Sequence, residues 1–190
     1  MMTTSRLEAF SDGVLAIVIT IMVLELKLPH GDSLKDLQPL IPTIISYLLS
    51  FIFVGVYWNN HHHLWQAAEH VNGRILWANL HLLFWISLFP FTTGWLGENF
   101  NSTIPVALYG LVLFMASLAW YILTKLVIKH EGIDSPVGIA FKNDYKTVAT
   151  MVIYALAIAA AFYEPWISMA IYALVAALWV VPDKRIEKMI

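Results

Sequence analysis

Two carboxylates bracket the first apolar segment of the chain, and their spacing has a direct chemical consequence. Asp12 precedes and Glu25 follows a stretch of 12 uncharged residues. A helix of that length reaches only about 18 Å, whereas the hydrocarbon core of a bilayer is roughly 30 Å thick. If the segment crosses a membrane, both carboxylates lie near its boundaries, where charge is costly unless it faces protein or water. The spacing therefore predicts a helix beside an aqueous path that attracts cations.

The residues between the two carboxylates form one apolar face. Ile17, Ile21 and Leu24 follow the i, i+4, i+7 spacing of a helical stripe. Thr20 lies beside them and supplies a hydroxyl. Such a stripe is typical of any helix that packs against lipid or protein. Several copies of this helix around a symmetry axis would instead form a hydrophobic constriction that gates by dewetting. Glu25, one turn beyond Ile21, would then lie in an outer vestibule, and both interpretations remain open on spacing alone.

Three consecutive histidines, His61, His62 and His63, are the other group with possible chemistry. Neighbours on a helix point about 100° apart, so the three side chains cannot all face one ion. Metal-binding pairs prefer i, i+4 spacing or carboxylate support, and the run has neither. We therefore predict that the chain has no metal site, binds no cofactor and is not an enzyme. A proton relay that also uses His81 stays open.

The composition identifies an integral membrane protein. Of the 190 residues, 59% are hydrophobic and 13% are charged, and the mean hydropathy is +0.71. Six apolar segments are long enough for membrane spans, which predicts an all-α fold in one domain over residues 1–190 and no site for nucleic acid. The predicted spans are 7–27, 39–66, 75–97, 105–124, 147–163 and 166–181.

The lysines and arginines predict the orientation of these six spans. The side that holds both termini carries nine basic residues, whereas the opposite side carries only Lys27 and Lys35. The nine are Arg6, Arg74, Lys125, Lys129, Lys142, Lys146, Lys184, Arg185 and Lys188. Because basic residues accumulate in cytoplasmic loops, both termini are predicted to be cytoplasmic, which places Glu25 on the outer side.

The first segment opens with the pattern Arg6-xxx-Phe10-Ser11-Asp12. Arg6 and Asp12 could be a snorkelling anchor and a helix N-cap, which are common and unspecific. A carboxylate this close to the membrane nevertheless needs partners, and the second and third segments offer polar side chains at the same end. These are Asn59, Asn60, His61, His62, His63, Gln66, Asn79 and His81. We expect a polar network that ties helix one to helices two and three.

The pattern resembles the signature of the transmembrane protein 175 family of potassium channels. The specific part of the resemblance is Arg6, Phe10, Ser11 and Asp12, and the length and topology of the whole chain agree with it. The single six-helix unit is similar to the prokaryotic branch. The resemblance therefore implies a homotetramer in the plasma membrane of a prokaryote, with the first helix lining a central pore. His63 and His81 are the expected partners of the signature residues.

The resemblance also implies a role for each residue of the apolar face. The constriction would consist of Ile17, Ile21 and Leu24, and Thr20 would form a layer that holds K⁺ transiently and favours it. The carbonyl-filter sequence Thr-Val-Gly-Tyr-Gly is absent. The predicted function is a leak channel for K⁺ and other monovalent cations in a lipid bilayer. The alternative is a proton-conducting channel or a secondary transporter with a histidine relay.

Overall fold

The computed structural model of the chain describes residues 2–141 and 144–180. These residues form eight α-helices, one 3-10 helix and two short strands. The elements in chain order are β1 (Met2–Thr3), α1 (Thr4–Leu24), the 3-10 helix (Leu34–Leu40), α2 (Ile41–Ala67), β2 (His70–Val71), α3 (Gly73–Ser87), α4 (Phe89–Glu98), α5 (Thr103–Glu131), α6 (Pro136–Phe141), α7 (Tyr145–Ala161) and α8 (Pro165–Val180). Outside the described residues lie Lys142, Lys184, Arg185 and Lys188, and also Val181, the predicted end of the last span.

Helices lie in all six segments predicted to span the membrane, but they differ in length. Four helical segments are long and apolar enough to cross a membrane: Thr4–Leu24, Leu34–Ala67, Gly73–Glu98 and Thr103–Glu131. By contrast, the apolar helix α7 has 17 residues, and the described part of the apolar helix α8 has 16 and runs to the last described residue. At about 1.5 Å per residue, α7 reaches roughly 25 Å, less than the ~30 Å hydrocarbon core of a typical bilayer.

The first helix is longer at its start than the uncharged stretch suggested. It begins at Thr4 and has 21 residues, so it reaches about 31 Å. It ends at Leu24, and Glu25 and Lys27 therefore follow the helix, whereas the predicted span included them. The extra length lies before Asp12, in the turns that carry the signature residues.

Two other helices depart from their predicted bounds for identifiable reasons. The third predicted span is divided at Leu88 into α3 and α4, because Pro90 cannot donate to the carbonyl one turn earlier. The fourth continues past its predicted end to Glu131 and stops at Gly132, whose φ of 101° suits a residue without a side chain.

The core of the bundle surrounds α5, and α1 lies at its edge. α5 packs against α3, α4, α6, α7 and α8, whereas α1 contacts α2, α3 and α4. The buried side of α1 consists of Leu7, Ser11, Leu15, Val18 and Met22, which share one helical face. The opposite side of α1 is left without a partner among the described residues.

Contacts between loops define two ends of the molecule. At one end β1 pairs antiparallel with β2, in the α2–α3 connection, and the backbone N–H of His70 donates to Glu131 Oε1 of α5 at 2.8 Å. At the other end Lys27 pairs with Glu98, and the rings of Phe100 and Trp166 lie 5.1 Å apart. Segments predicted to share one side of the membrane thus lie at one end.

We expect Gly97→Ala to destabilise the fold. A Cβ at Gly97 would lie 2.7 Å from the Cα of Thr43 in α2, and a backbone atom cannot move aside without shifting the helix. Overpacking of this kind costs about 1–3 kcal/mol, so the unfolding midpoint of the purified protein in detergent should fall. Gly55→Ala is the control, because an added Cβ there meets no atom within 4 Å. An unchanged midpoint for Gly97→Ala would refute the close contact.

Candidate functional site

The side of α1 that faces away from the bundle is apolar. Ile17 is 59% exposed and Leu24 is 76% exposed, whereas Leu15 on the opposite side is 2% exposed. Thr20 and Ile21 are exposed on the same side as Ile17. The four residues predicted to line a pore therefore lie together on one open face, which we call the open face of α1.

Thr20 supplies the only side-chain oxygen of this open face. Its hydroxyl donates to the carbonyl of Ala16 in the same helix at 2.8 Å. Since the one hydroxyl proton is used within the helix, the lone pairs of the oxygen remain free to accept a hydrogen bond or to contact a cation. The local geometry thus presents Thr20 as an acceptor.

A buried hydrogen-bonded network holds the other face of α1. Ser11 Oγ donates to the carbonyl of Leu7 at 2.9 Å and accepts from Asn79 Nδ2 of α3 at 3.0 Å. Asn79 Oδ1 lies 2.8 Å from His61 Nε2 of α2. All three polar residues are buried. This network joins α1 to both α2 and α3.

His61 lies between a donor and an acceptor. Its Nε2 is 2.8 Å from Asn79 Oδ1 and also 2.8 Å from the indole Nε1 of Trp65. A neutral imidazole nitrogen either donates or accepts, so Nε2 satisfies one of these partners at a time. The network therefore has two alternative hydrogen-bonding arrangements.

A second polar contact joins α1 to α2, one turn before Ser11 in α1 and one residue after His61 in α2. His62 Nδ1 lies 2.7 Å from Glu8 Oε1, and both side chains are partly exposed. The imidazole of His62 stacks on Trp58, with ring centroids 6.0 Å apart and planes inclined by 15°. Glu8 lies within the signature pattern at a position that the pattern leaves unspecified, so motif analysis overlooked it.

The expected partners of Asp12 are not hydrogen-bonded to it. Asp12 Oδ1 and His63 Nδ1 are buried and have no hydrogen-bond partner among the described residues. His81 Nε2 instead accepts from Trp85 Nε1 at 2.9 Å. Arg6 and Phe10 are exposed. Among the described residues, Ser11 is therefore the signature residue that joins α1 to the bundle by a hydrogen bond.

Just beyond the C-terminal end of α1, Glu25 is exposed and its side chain lies against α4. Its Oε2 is 3.4 Å from the point that a Cβ on Gly94 would occupy. Lys27 pairs with Glu98, and this hydrogen bond raises the pKa of the Lys27 ammonium above its usual value. Among the described residues, no group of three histidine or acidic side chains could hold a metal ion.

We expect Asn79→Ala to weaken the attachment of α1. The change removes the hydrogen bond from Asn79 to the buried Ser11 Oγ and leaves His61 Nε2 with Trp65 as its remaining partner. Loss of a buried hydrogen bond and its partner costs about 1–3 kcal/mol. The unfolding midpoint in detergent should fall by several degrees, whereas the exposed Gln66→Ala should leave it unchanged. Equal midpoints for the two variants would contradict the role assigned to the network.

Known proteins similar to this chain are ion channels. The family model described as endosomal/lysosomal potassium channel TMEM175 matches residues 6–90. A potassium channel of Chryseobacterium sp. (strain P1-3) is 54% identical over 187 residues, which are 98% of this chain and 97% of that one. A potassium channel of Streptomyces collinus is 29% identical, over 91% of this chain and 89% of its own length.

A solved structure and the vertebrate relatives extend this similarity. The crystal structure of a lysosomal potassium-selective channel TMEM175 homolog from Chamaesiphon minutus matches with a TM-score of 0.82 and 27% identity, over 94% of this chain and 96% of that one. The endosomal/lysosomal proton channel TMEM175 of Danio rerio is 30% identical over 139 residues, which are 70% of this chain but 26% of that protein. With a relative 54% identical along nearly its whole length, the chain belongs to the TMEM175 family of ion channels.

Proposed function

We propose that the protein is a potassium-permeable cation channel in which four copies of α1 surround a central pore. The observation that carries this proposal is the open face of α1, whose apolar side chains have no partner among the described residues of their own chain. A closed ring of identical subunits covers such a face without a second kind of protein. The similarity to proteins named as potassium channels supports this arrangement.

In this mechanism side chains rather than backbone carbonyls contact the ion. α1 is continuous from Thr4 to Leu24, so all its carbonyls before the last turn are used in helical hydrogen bonds. Glu25 attracts hydrated cations to the outer mouth, and Thr20 replaces part of the hydration shell. Ile17, Ile21 and Leu24 form apolar layers that close the pore by dewetting when they come together.

The proposed membrane arrangement has six spans and cytoplasmic termini, in the plasma membrane of a prokaryote. Contacts at the two ends of the molecule agree with the division of loops that the basic residues predict. One end holds the contacts of β1, β2 and Glu131, and the other holds those of Lys27, Glu98 and Trp166. α7 and α8 would form a short hairpin, and a bilayer adapts to short spans by local thinning at modest cost.

Proton conduction is the second candidate, because a specific group of residues favours it. Asp12, Glu8 and His62 lie at the proposed inner end of α1, and His61 Nε2 lies 2.8 Å from each of two hydrogen-bonding partners, Asn79 and Trp65. Relatives in vertebrates are named as proton channels. Reversal potentials across purified protein in bilayers separate the two functions: a pH gradient shifts the potential of a proton channel, and a K⁺/Na⁺ gradient shifts that of a cation channel.

We expect Ile17→Ala to increase single-channel conductance several-fold. The substitution shortens an apolar side chain that closes the pore, which makes dewetting of the constriction less favourable. Ile167→Ala is the matched control, since Ile167 is a 44% exposed isoleucine of α8, away from α1. If both variants conducted like the unmodified protein, the pore would not be lined by α1.

We expect Thr20→Ala to bring the K⁺/Na⁺ permeability ratio close to unity. The change removes the side-chain oxygen of the open face, whereas Thr20→Ser retains a hydroxyl and should retain most of the discrimination. Reversal potentials in asymmetric K⁺ and Na⁺ solutions measure this ratio. An undiminished ratio in Thr20→Ala would place selectivity elsewhere in the chain.

A further inference from the structure

Three charged residues meet where α1 ends on the outer side. Lys27 Nζ donates to Glu98 Oε1, at the last residue of α4. The Glu25 carboxylate lies beside Gly94, one turn earlier on the same helix. Lys27 and Glu25 thus both lie along α4, and together the three side chains carry two negative charges and one positive charge.

The Lys27–Glu98 pair is too exposed to matter much for folding. The two side chains are 73% and 54% exposed, and ion pairs of this kind contribute little to stability. The pair does decide where the positive charge lies. Lys27 is three residues beyond the end of α1, so an unpaired ammonium would lie close to the mouth of any pore that α1 surrounds.

Such a charge would act directly on permeation. Four ammonium groups around an axis repel cations that approach from outside, and they also offset the attraction of the four Glu25 carboxylates. Because charges in water are screened over a Debye length, this repulsion acts over about 30 Å at 0.01 M salt and about 3 Å at 1 M salt.

We propose that Glu98 is a positioning residue for cation entry: it pairs with the Lys27 ammonium beside α4, so that Glu25, which forms no ion pair among the described residues, keeps its attraction for cations at the outer mouth. The inference rests on the proposed pore of α1. It assigns a function to a residue of α4 that has no place on the open face.

The test is Glu98→Gln in bilayers at low ionic strength. Release of Lys27 should reduce inward K⁺ current several-fold and outward current less, and the loss should disappear at high salt. Asp32→Asn is the matched control, because it removes one negative charge from the exposed α1–α2 connection and releases no lysine. This control should conduct like the unmodified protein.

The double variant Glu98→Gln/Lys27→Met separates position from structural damage. It restores the net charge of the three-residue group and removes the released ammonium, so inward current should return. The exchange Lys27→Glu/Glu98→Lys keeps the ion pair and moves its positive charge onto α4. Because no ammonium then follows α1, this variant should conduct at least as well as the unmodified protein.

The outcomes distinguish this inference from the proposed function. If the unmodified protein conducts cations but Glu98→Gln passes the same inward current, or if the double variant stays as low as Glu98→Gln, the role of Glu98 is wrong and the channel stands. If the unmodified protein passes no cation current, both proposals fall. A poorly assembled Glu98→Gln leaves the exchange variant to decide, and a loss of inward current there would overturn the inference.

Discussion

The hydrogen bond from Asn79 Nδ2 to Ser11 Oγ sets the rotation of α1 about its own axis. In an apolar environment a buried polar group without a partner is costly, so the buried Asn79 amide favours the rotation that turns Ser11 toward α3. Once that side is fixed, helical geometry turns Ile17, Thr20 and Leu24 to the opposite side. One polar contact near the start of the helix therefore favours the rotation that leaves these side chains on the open face.

The attachment of α1 is polar at its ends and apolar in the middle. Glu8 and His62 join it to α2 at one end, and beyond its other end Lys27 joins the chain to α4. Between these ends, Leu15, Val18 and Met22 are buried against the bundle. Among the described residues, the one side-chain hydrogen bond in this part of α1 to another helix is the weak 3.9 Å contact from Thr93 to the Met22 sulfur. Among the described residues, the middle of α1 is therefore held to the bundle mainly by close packing of apolar side chains.

Apolar periodicity was enough to predict that Ile17, Ile21 and Leu24 share one face of α1, but not that this face is open. The six predicted spans and their basic residues were enough to divide the loops between two ends. The partners within the inner network were not predictable in the same way. His61, His62 and His63 point about 100° apart from one to the next. Which of them faces Asn79 depends on the rotation of α2, and packing among α1, α2 and α3 sets that rotation. The end of α5 was missed for another reason: Lys125 and Lys129 end an apolar run, but a helix continues readily through charged residues outside the lipid.

The short strand pair has a mechanical consequence. β1 ends at Thr3 and α1 begins at Thr4, so there is no spacer between the strand and the first helical turn. β2 in turn is bonded to α5 through Glu131. A force applied at the start of the chain therefore acts directly on α1, and the pairing of β1 with β2 resists the movement. A domain joined ahead of β1 would act first on α1 and its open face, whereas one joined after α8 would have to act through the whole bundle.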